Sequence, residues 1–397
     1  LQSTPTPDIS TLSLHDALPI LRNAVWQIMF SDQIPDHSAV DEAVTLTASQ
    51  EGTGASAYVN AVLRNITSNK DALFTSCILQ PRKYHLKCGM PPEIAGYFKK
   101  WYGAERGIEI CRALHNNADI SIRANKLKTD ILSVSHKLRS AGTEIMPARF
   151  IPDAAVIRTK GTPVNDLPGF ETGDFIVQDE AAMLVSLISS PSPGDFVIDL
   201  CAAPGGKTCH LGEIMRDEGT ILAIDLSSSR TGLIEENKKR MGLNIIRCMT
   251  GDARDDDLAE TFGNQADLVL ADVPCSGLGI IRRKPDIMLR MDHNKMTKLY
   301  PLQKEILRNA AKLVRPGGHL VYSTCTHNPE ENESNVLRFV EEMKGSFEFF
   351  GFHDLLPEGI LTRDAKIVEG AGKGMVTLFT DEHGCDGFFI TKLRRMK

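Results

Sequence analysis

The chain has 397 residues, of which 42% are hydrophobic and 24% charged, and its formal net charge is -6. That length exceeds what one hydrophobic core usually supports, so two or three domains are expected, and no apolar run approaches the ~20 residues of a membrane span. The acidic balance argues against indiscriminate nucleic-acid binding but leaves room for local basic patches. Nine cysteines without Cys-x-x-Cys pairs or Cys/His zinc spacing do not form a disulfide framework; no metal and a reducing, cytoplasmic setting are expected.

Residues 1–20, "LQSTPTPDISTLSLHDALPI", carry turn formers and no sustained period, and are read as a non-native or disordered leader. Residues 21–80 contain "LRNAVWQIMFSD", "HSAVDEAVTLTASQ" and "ASAYVNAVLRNI", each with apolar residues three and four apart, which predicts a small helical module. Residues 81–117, with "PPEIAGYFKKWYGAERGIEICRALHN", read as a helical linker. "ISIRANKLKTDILSVSHKLRSAG" then reads as strand, basic turn and helix, opening a small α+β unit over residues 118–176. From 177 to 397 apolar strands alternate with helices: "DFVIDL", "TILAID", "NIIRCM", "DLVLAD" and "HLVYST". This series predicts a mostly parallel, doubly wound α/β domain.

The first of those strands runs into "CAAPGGKTCHLGEI". A triphosphate loop requires a glycine where Cys201 stands, and the dinucleotide fingerprint fails because Gly205 and Gly206 are adjacent. What remains is a Gly-rich turn opening a helix, where backbone approaches a ligand closely. Asp225, Asp252 and Asp272 follow the next three strands at the edge where such sheets bind ligands. An acid about 20 residues beyond the glycines suits ribose hydroxyls, so a nucleoside cofactor without a long phosphate chain is expected, and S-adenosylmethionine is the candidate. Cys275 and Cys325 also follow directly on strands at that edge, each among polar turn formers rather than apolar filler.

With these residues in place the chain resembles the RNA cytosine-5-methyltransferases of the Nol1/Nop2/Sun family. The family's cofactor loop resembles Asp199 to Thr208, and its paired cysteine motifs resemble Asp272-Val273-Pro274-Cys275 and Ser323-Thr324-Cys325-Thr326. "IPDHSAVDEAV" and "GTGASAYVNAVLRNI" are similar to the NusB-like domain of the bacterial members that act on 16S ribosomal RNA, with the family's earlier helices missing or replaced by the leader. The resemblance implies a NusB-like helical module, a small RNA-recognition-like α+β unit and a Rossmann-like methyltransferase domain. It also implies S-adenosylmethionine-dependent methylation of carbon 5 of a cytosine in 16S ribosomal RNA. That carbon is too weak a nucleophile to take a methyl unaided, so a thiolate first adds to carbon 6.

In family terms Cys325 is the nucleophile and Cys275 assists release; DNA cytosine-5 enzymes attack from a Pro-Cys motif instead, which would nominate Cys275. Asp272 is expected at the pyrimidine edge and beside the cofactor. By resemblance Asp225 holds the ribose diol, Asp252 the adenine side, and Cys201, Ala202, Ala203, Pro204, Gly205, Gly206 and Lys207 the methionine end, with pairing to a neighbouring acid as the other reading of Lys207. Arg282, Arg283 and Lys284 beyond Cys275, and Arg123, Lys126 and Lys128 in the α+β unit, are expected to contact RNA. A monomer acting on an unstacked or flipped cytosine is expected. The alternatives are the same chemistry on another RNA such as tRNA, a methyltransferase for exocyclic nitrogen or protein, and a non-catalytic RNA-binding assembly factor.

Overall fold

The computed structural model describes residues 11–79, 83–362 and 364–397, and the chain divides into two compact units between Lys87 and Cys88. In the first unit α1 (Thr11–Phe30), α2 (Asp36–Glu51) and α3 (Thr53–Ser68) share one core. Ala17, Leu21, Ala24 and Ile28 recur at helical spacing along α1 and meet Val40, Ala43, Val59 and Leu63. The stripe starts before residue 21. Residues 11–20, expected in a non-native or disordered leader, therefore belong to α1, in which Pro19 lies on the exposed face; residues 1–10 lie outside the described residues.

The second unit opens with helices Pro92–Tyr102 and Ala104–Ala113. They pack on the large domain rather than link to it: the Tyr102 hydroxyl donates to the His327 carbonyl at 2.5 Å, and Arg106 pairs with Asp381. The small sheet follows, with β1 (Ile120–Ala124), β2 (Glu144–Pro147), β3 (Ala154–Arg158) and β4 (Phe175–Val177) in the order β2-β3-β1-β4, every pair antiparallel. Helix Ile131–Ser140 covers it, capped by the Asp130 carboxylate on the amides of Leu132 and Ser133. Ile122 and Ala124 enter this core, so the period of two turns Arg123 to the opposite face. There the guanidinium forms a buried ion pair with Glu213 and donates to Gln178 Oε1 at 3.1 Å. Arg123, expected at RNA, instead bolts the small sheet to the large domain.

The large sheet runs β10-β12-β9-β8-β5-β6-β7. Its parallel part is β5 (Phe196–Leu200), β6 (Thr220–Asp225), β7 (Ile246–Thr250), β8 (Ala266–Asp272) and β9 (Val314–Thr324). β10 (Phe347–Phe349), β11 (Met375–Leu378) and β12 (Phe388–Arg395) extend it antiparallel, with both β10 and β11 paired to β12. Side chains alternate between two cores. Val197, Ile221 and Ala223 face the helices of residues 180–241, whereas Ile198, Leu222 and Ile224 face those of residues 256–342. All five parallel strands thus deliver their carboxyl ends to one edge.

On β5 the side chain of Asp199 lies wholly inside, where burial pushes its carboxyl up to about 7 although Thr208 donates to Oδ2 at 2.6 Å. The folded state therefore binds this proton more tightly than the unfolded chain, and stability falls as pH rises from about 4 to 7. Asp199→Asn should gain stability over the wild type across that window and hold the gain above it, as read from urea midpoints at about pH 5 and 8. A second outcome concerns Arg123. Glu213→Leu alone should cost about 3 to 5 kcal/mol by stranding a buried guanidinium, while the Arg123→Met/Glu213→Leu pair should recover most of it in the same urea titration.

Candidate active site at the strand carboxyl ends

The chain leaves β5 through Cys201, whose φ is +61°, and enters helix Gly206–Ile214 after Gly205 at φ +98°. A Cβ on Gly205 would stand 3.2 Å from Ile234 Cα, so glycine serves both the left-handed turn and the close approach. The loop is tied to its neighbours: Ala202 N donates to Ile224 O at 3.0 Å, Ala203 N to Asp225 Oδ2 at 2.9 Å, and Asn237 Nδ2 to Pro204 O at 2.9 Å. Burial and then Asp225 raise the Cys201 thiol, which keeps it neutral. Asp225 ends β6 with a 3% exposed side chain, and its Oδ1 also accepts from Arg230 Nε at 2.5 Å. Asp252 lies one strand further on, where Arg254 pairs with it at 2.6 Å and lowers its carboxyl below the usual range.

Lys207 crosses from its helix to β8, with Nζ 2.6 Å from Asp272 Oδ2 and above the Phe388 ring at 5.1 Å. Burial opposes its charge, but the Asp272 carboxylate prevails and holds the ammonium above its ordinary range. The other Asp272 oxygen accepts from Ser323 Oγ at 2.6 Å. Cys275 and Cys325 meet with their sulfurs 3.2 Å apart. Their loops are stitched together by Gly279 N to Cys325 O at 3.0 Å and by the Ser276 and Thr326 hydroxyls at 2.7 Å. A Cβ on Gly279 would come within 2.2 Å of Gly387 O, so only glycine permits this crossing. Lys207, Asp272, Cys275 and Cys325 are therefore one cluster, with Asp225 and the loop beside it.

Sequence reasoning quoted Ser323 and Thr326 within the cysteine motif but gave no role to the groups that hold the cluster: Ser323, Ser276, Thr326, Gln303 and Glu331. Their signal was available in part, because Glu331 falls in the acidic "NPEENE" run that begins at Asn328, three residues after Cys325.

The basic candidates fare differently. Arg282 and Arg283 clamp Asp386 and Asp179: Arg282 Nε reaches Asp386 Oδ1 at 2.9 Å, and Arg283 reaches Asp386 Oδ2 and Asp179 Oδ2 at 2.6 Å each. Arg282 is 5% exposed and Asp386 4%. These guanidiniums are spent on buried carboxylates, so the expectation that both contact RNA is corrected: they fix the loop after Cys275. Lys128 donates to the carbonyls of Thr172 and Arg240 at 2.8 and 2.9 Å, Lys126 pairs with Asp153 at the surface, and Lys284 is exposed. A cavity of 710 Å³ lined by Arg123, Lys126, His210 and Leu356 lies apart from the cysteines and the Gly-rich loop.

The chain matches the 16S rRNA methyltransferase RsmB/F family over residues 186–394 and the NusB family over residues 12–68. It is 33% identical over 379 residues to the probable ribosomal RNA small subunit methyltransferase B of Bacillus subtilis, covering 95% of this chain and 82% of that protein. It is 31% identical over 383 residues to the ribosomal RNA small subunit methyltransferase B of Pseudomonas syringae pv. tomato, covering 95% and 81%. The crystal structure of PH0851 superposes with a TM-score of 0.79 at 29% identity, covering 95% of this chain and 81% of that one. With a NusB-like helical unit, a parallel sheet and a cysteine pair at its ligand edge, the chain belongs to the 16S rRNA methyltransferase RsmB/F family.

Proposed function

We propose that the chain transfers a methyl group from S-adenosylmethionine to carbon 5 of a cytosine in 16S ribosomal RNA through a covalent adduct on Cys325. The observation that supports this reading most is the pair of sulfurs 3.2 Å apart beside the Lys207–Asp272 ion pair, because methylation of an exocyclic nitrogen needs no thiol. The chain's residues fit the cofactor. Asp225 presents a buried carboxylate at a strand end, and the Arg230 side chain that meets it is 54% exposed, free to yield to a ribose diol. Gly205 brings backbone to the same edge, and Asp252 lies one strand further along. When bound, S-adenosylmethionine supplies an electrophilic methyl group.

The Cys325 thiolate forms a bond to carbon 6 of the cytosine, and the displaced double-bond electrons make carbon 5 nucleophilic. Asp272, fixed by Lys207 and Ser323, accepts from the exocyclic amine at the pyrimidine edge. Once carbon 5 is methylated its proton passes to solvent water, the carbon 5–carbon 6 double bond returns, and the sulfur–carbon bond breaks with its electron pair going back to the Cys325 sulfur. Cys275 faces that sulfur and assists this release. The target base must leave its stack so that carbon 6 meets the sulfur. Base-resolution mapping of 5-methylcytosine in 16S ribosomal RNA, with and without this protein, tests the reading directly; an unchanged map overturns it.

Three outcomes follow from this reading. Cys325→Ala should abolish transfer of labelled methyl groups without trapping RNA. Cys275→Ala should accumulate a protein–RNA complex that survives denaturing electrophoresis and depends on S-adenosylmethionine and Cys325. Exchanged phenotypes would make Cys275 the nucleophile. Asp225→Ala should weaken S-adenosylhomocysteine binding about tenfold to a hundredfold in calorimetric titration, the loss of an acceptor worth roughly 1.5 to 3 kcal/mol. Unchanged affinity in the folded variant removes Asp225 from the cofactor site.

A further inference from the structure

Glu331 is fully buried beneath the cysteine pair. Its Oε2 accepts from the Ser276 amide at 2.9 Å and from Gln303 Nε2 at 2.8 Å, and its Oε1 accepts from Asn328 Nδ2 at 2.9 Å. Gln303 Nε2 also donates to Pro274 O at 2.9 Å, so the residues on both sides of Cys275 are tied to one carboxylate. Its own carbonyl accepts from the Tyr322 hydroxyl at 2.6 Å. Burial raises the Glu331 carboxyl while its donors work against the rise. Three N–H donors, from Ser276, Gln303 and Asn328, aim at its two oxygens and the Ser276 hydroxyl adds a further hydrogen bond, a donor-rich surrounding that matches the carboxylate form.

Opposite this anion stands a cation. Lys207 is held by Asp272 and lies within electrostatic reach of Cys325, whereas Glu331 acts on Cys275. The two sulfurs are in contact and cannot both carry charge at that separation without strong repulsion in a low-dielectric site. Contact with Cys325, then burial, then the charges of Cys325 and Glu331 hold the Cys275 thiol well above its ordinary range. Tyr322, the other ionisable neighbour, is itself raised by burial and stays neutral.

We propose that Glu331 is a positioning residue that decides which sulfur attacks: it clamps Ser276 and places negative charge on the Cys275 side, so that Cys275 stays a neutral thiol and attack falls to Cys325. This deepens the thiolate reading above and rests on it. The carboxylate moves no proton to substrate. It acts through Cys275, whose retained hydrogen can be donated to the Cys325 sulfur as the bond to carbon 6 breaks.

The test is brief alkylation of the full chain with iodoacetamide at about pH 6 to 9, read at each cysteine by peptide mass spectrometry. In the wild type Cys325 should react at least about tenfold faster than Cys275 throughout, and Glu331→Gln should narrow that ratio to roughly threefold or less. The same variant should lose about tenfold or more in kcat, with RNA KM and S-adenosylhomocysteine affinity within about twofold of wild type. A wild type in which Cys275 reacts first overturns the proposal and needs no variant to fold. A folded Glu331→Gln protein with the wild-type ratio also overturns it. Methyl transfer surviving in Cys325→Ala would overturn the thiolate mechanism instead, while the alkylation ratio still reports on Glu331.

Discussion

The site depends on one pairing, that of β8 with β9 in parallel. The register that sets Asp272 opposite Ser323 makes their loops leave the sheet side by side, and Cys275 and Cys325 meet because of it. A one-residue slip would turn every side chain of one strand to the other face and carry its loop away. The register is held from outside as well. Tyr322 and Leu320 are buried on one face of β9 and Val321 on the other, and β12 covers its far edge from His319 to Thr324. Packing on both faces and pairing on both edges thus converge on the position of two sulfurs.

Around this pairing the protein places charge in largely enclosed positions. Lys207 with Asp272, Arg123 with Glu213, and Arg282 and Arg283 with Asp179 and Asp386 are all largely enclosed. Such pairs contribute little net stability, because desolvation offsets most of the attraction, but each is costly to break. Their common effect is geometric. One joins the small sheet to helix Gly206–Ile214, one fixes the segment after Cys275, and one spans β8 and that same helix. They hold in place the segments that surround the thiols.

Much of this was legible in the sequence, and what was not has a physical reason. The parallel strands announce themselves as apolar runs, and because their carboxyl ends are collinear with chain direction, Asp225, Asp272, Cys275 and Cys325 could be placed at one edge from text alone. Arg282 and Arg283 could not be read correctly. A local cluster of cations does not reveal that its carboxylates come from Asp179 and Asp386, each about a hundred residues away. The antiparallel edge was also missed: β12 contains Lys392, whose buried amino group caps a helix end at the Ile188 and Ser189 carbonyls, and a lysine in a strand reads as surface. The helical start at Thr11 was hidden by Pro19, a helix breaker in text that lies on the exposed face of α1 without ending it.

Exposure along the two cysteine loops shows why their anchors must be polar. Cys275, Cys325 and Asp272 are partly accessible, while Ser276, Thr326, Asn328 and Glu331, their neighbours in the chain, are buried. These three side chains reach the surface, and the backbone behind them is irregular because each strand has just ended. Irregular buried backbone has no ladder to satisfy its amides, so side chains must do so. Glu331 Oε2 accepts from the Ser276 amide and Thr326 Oγ1 from the Asn328 amide, Gln303 Nε2 donates to the Pro274 carbonyl, and the Ser276–Thr326 and Asn328–Glu331 side-chain contacts tie these groups to one another. An apolar core behind the sulfurs would leave the Ser276 amide unpaired and both loops free to shift. The polar clamp is therefore what lets two thiols sit in contact at an open edge without sinking into the core.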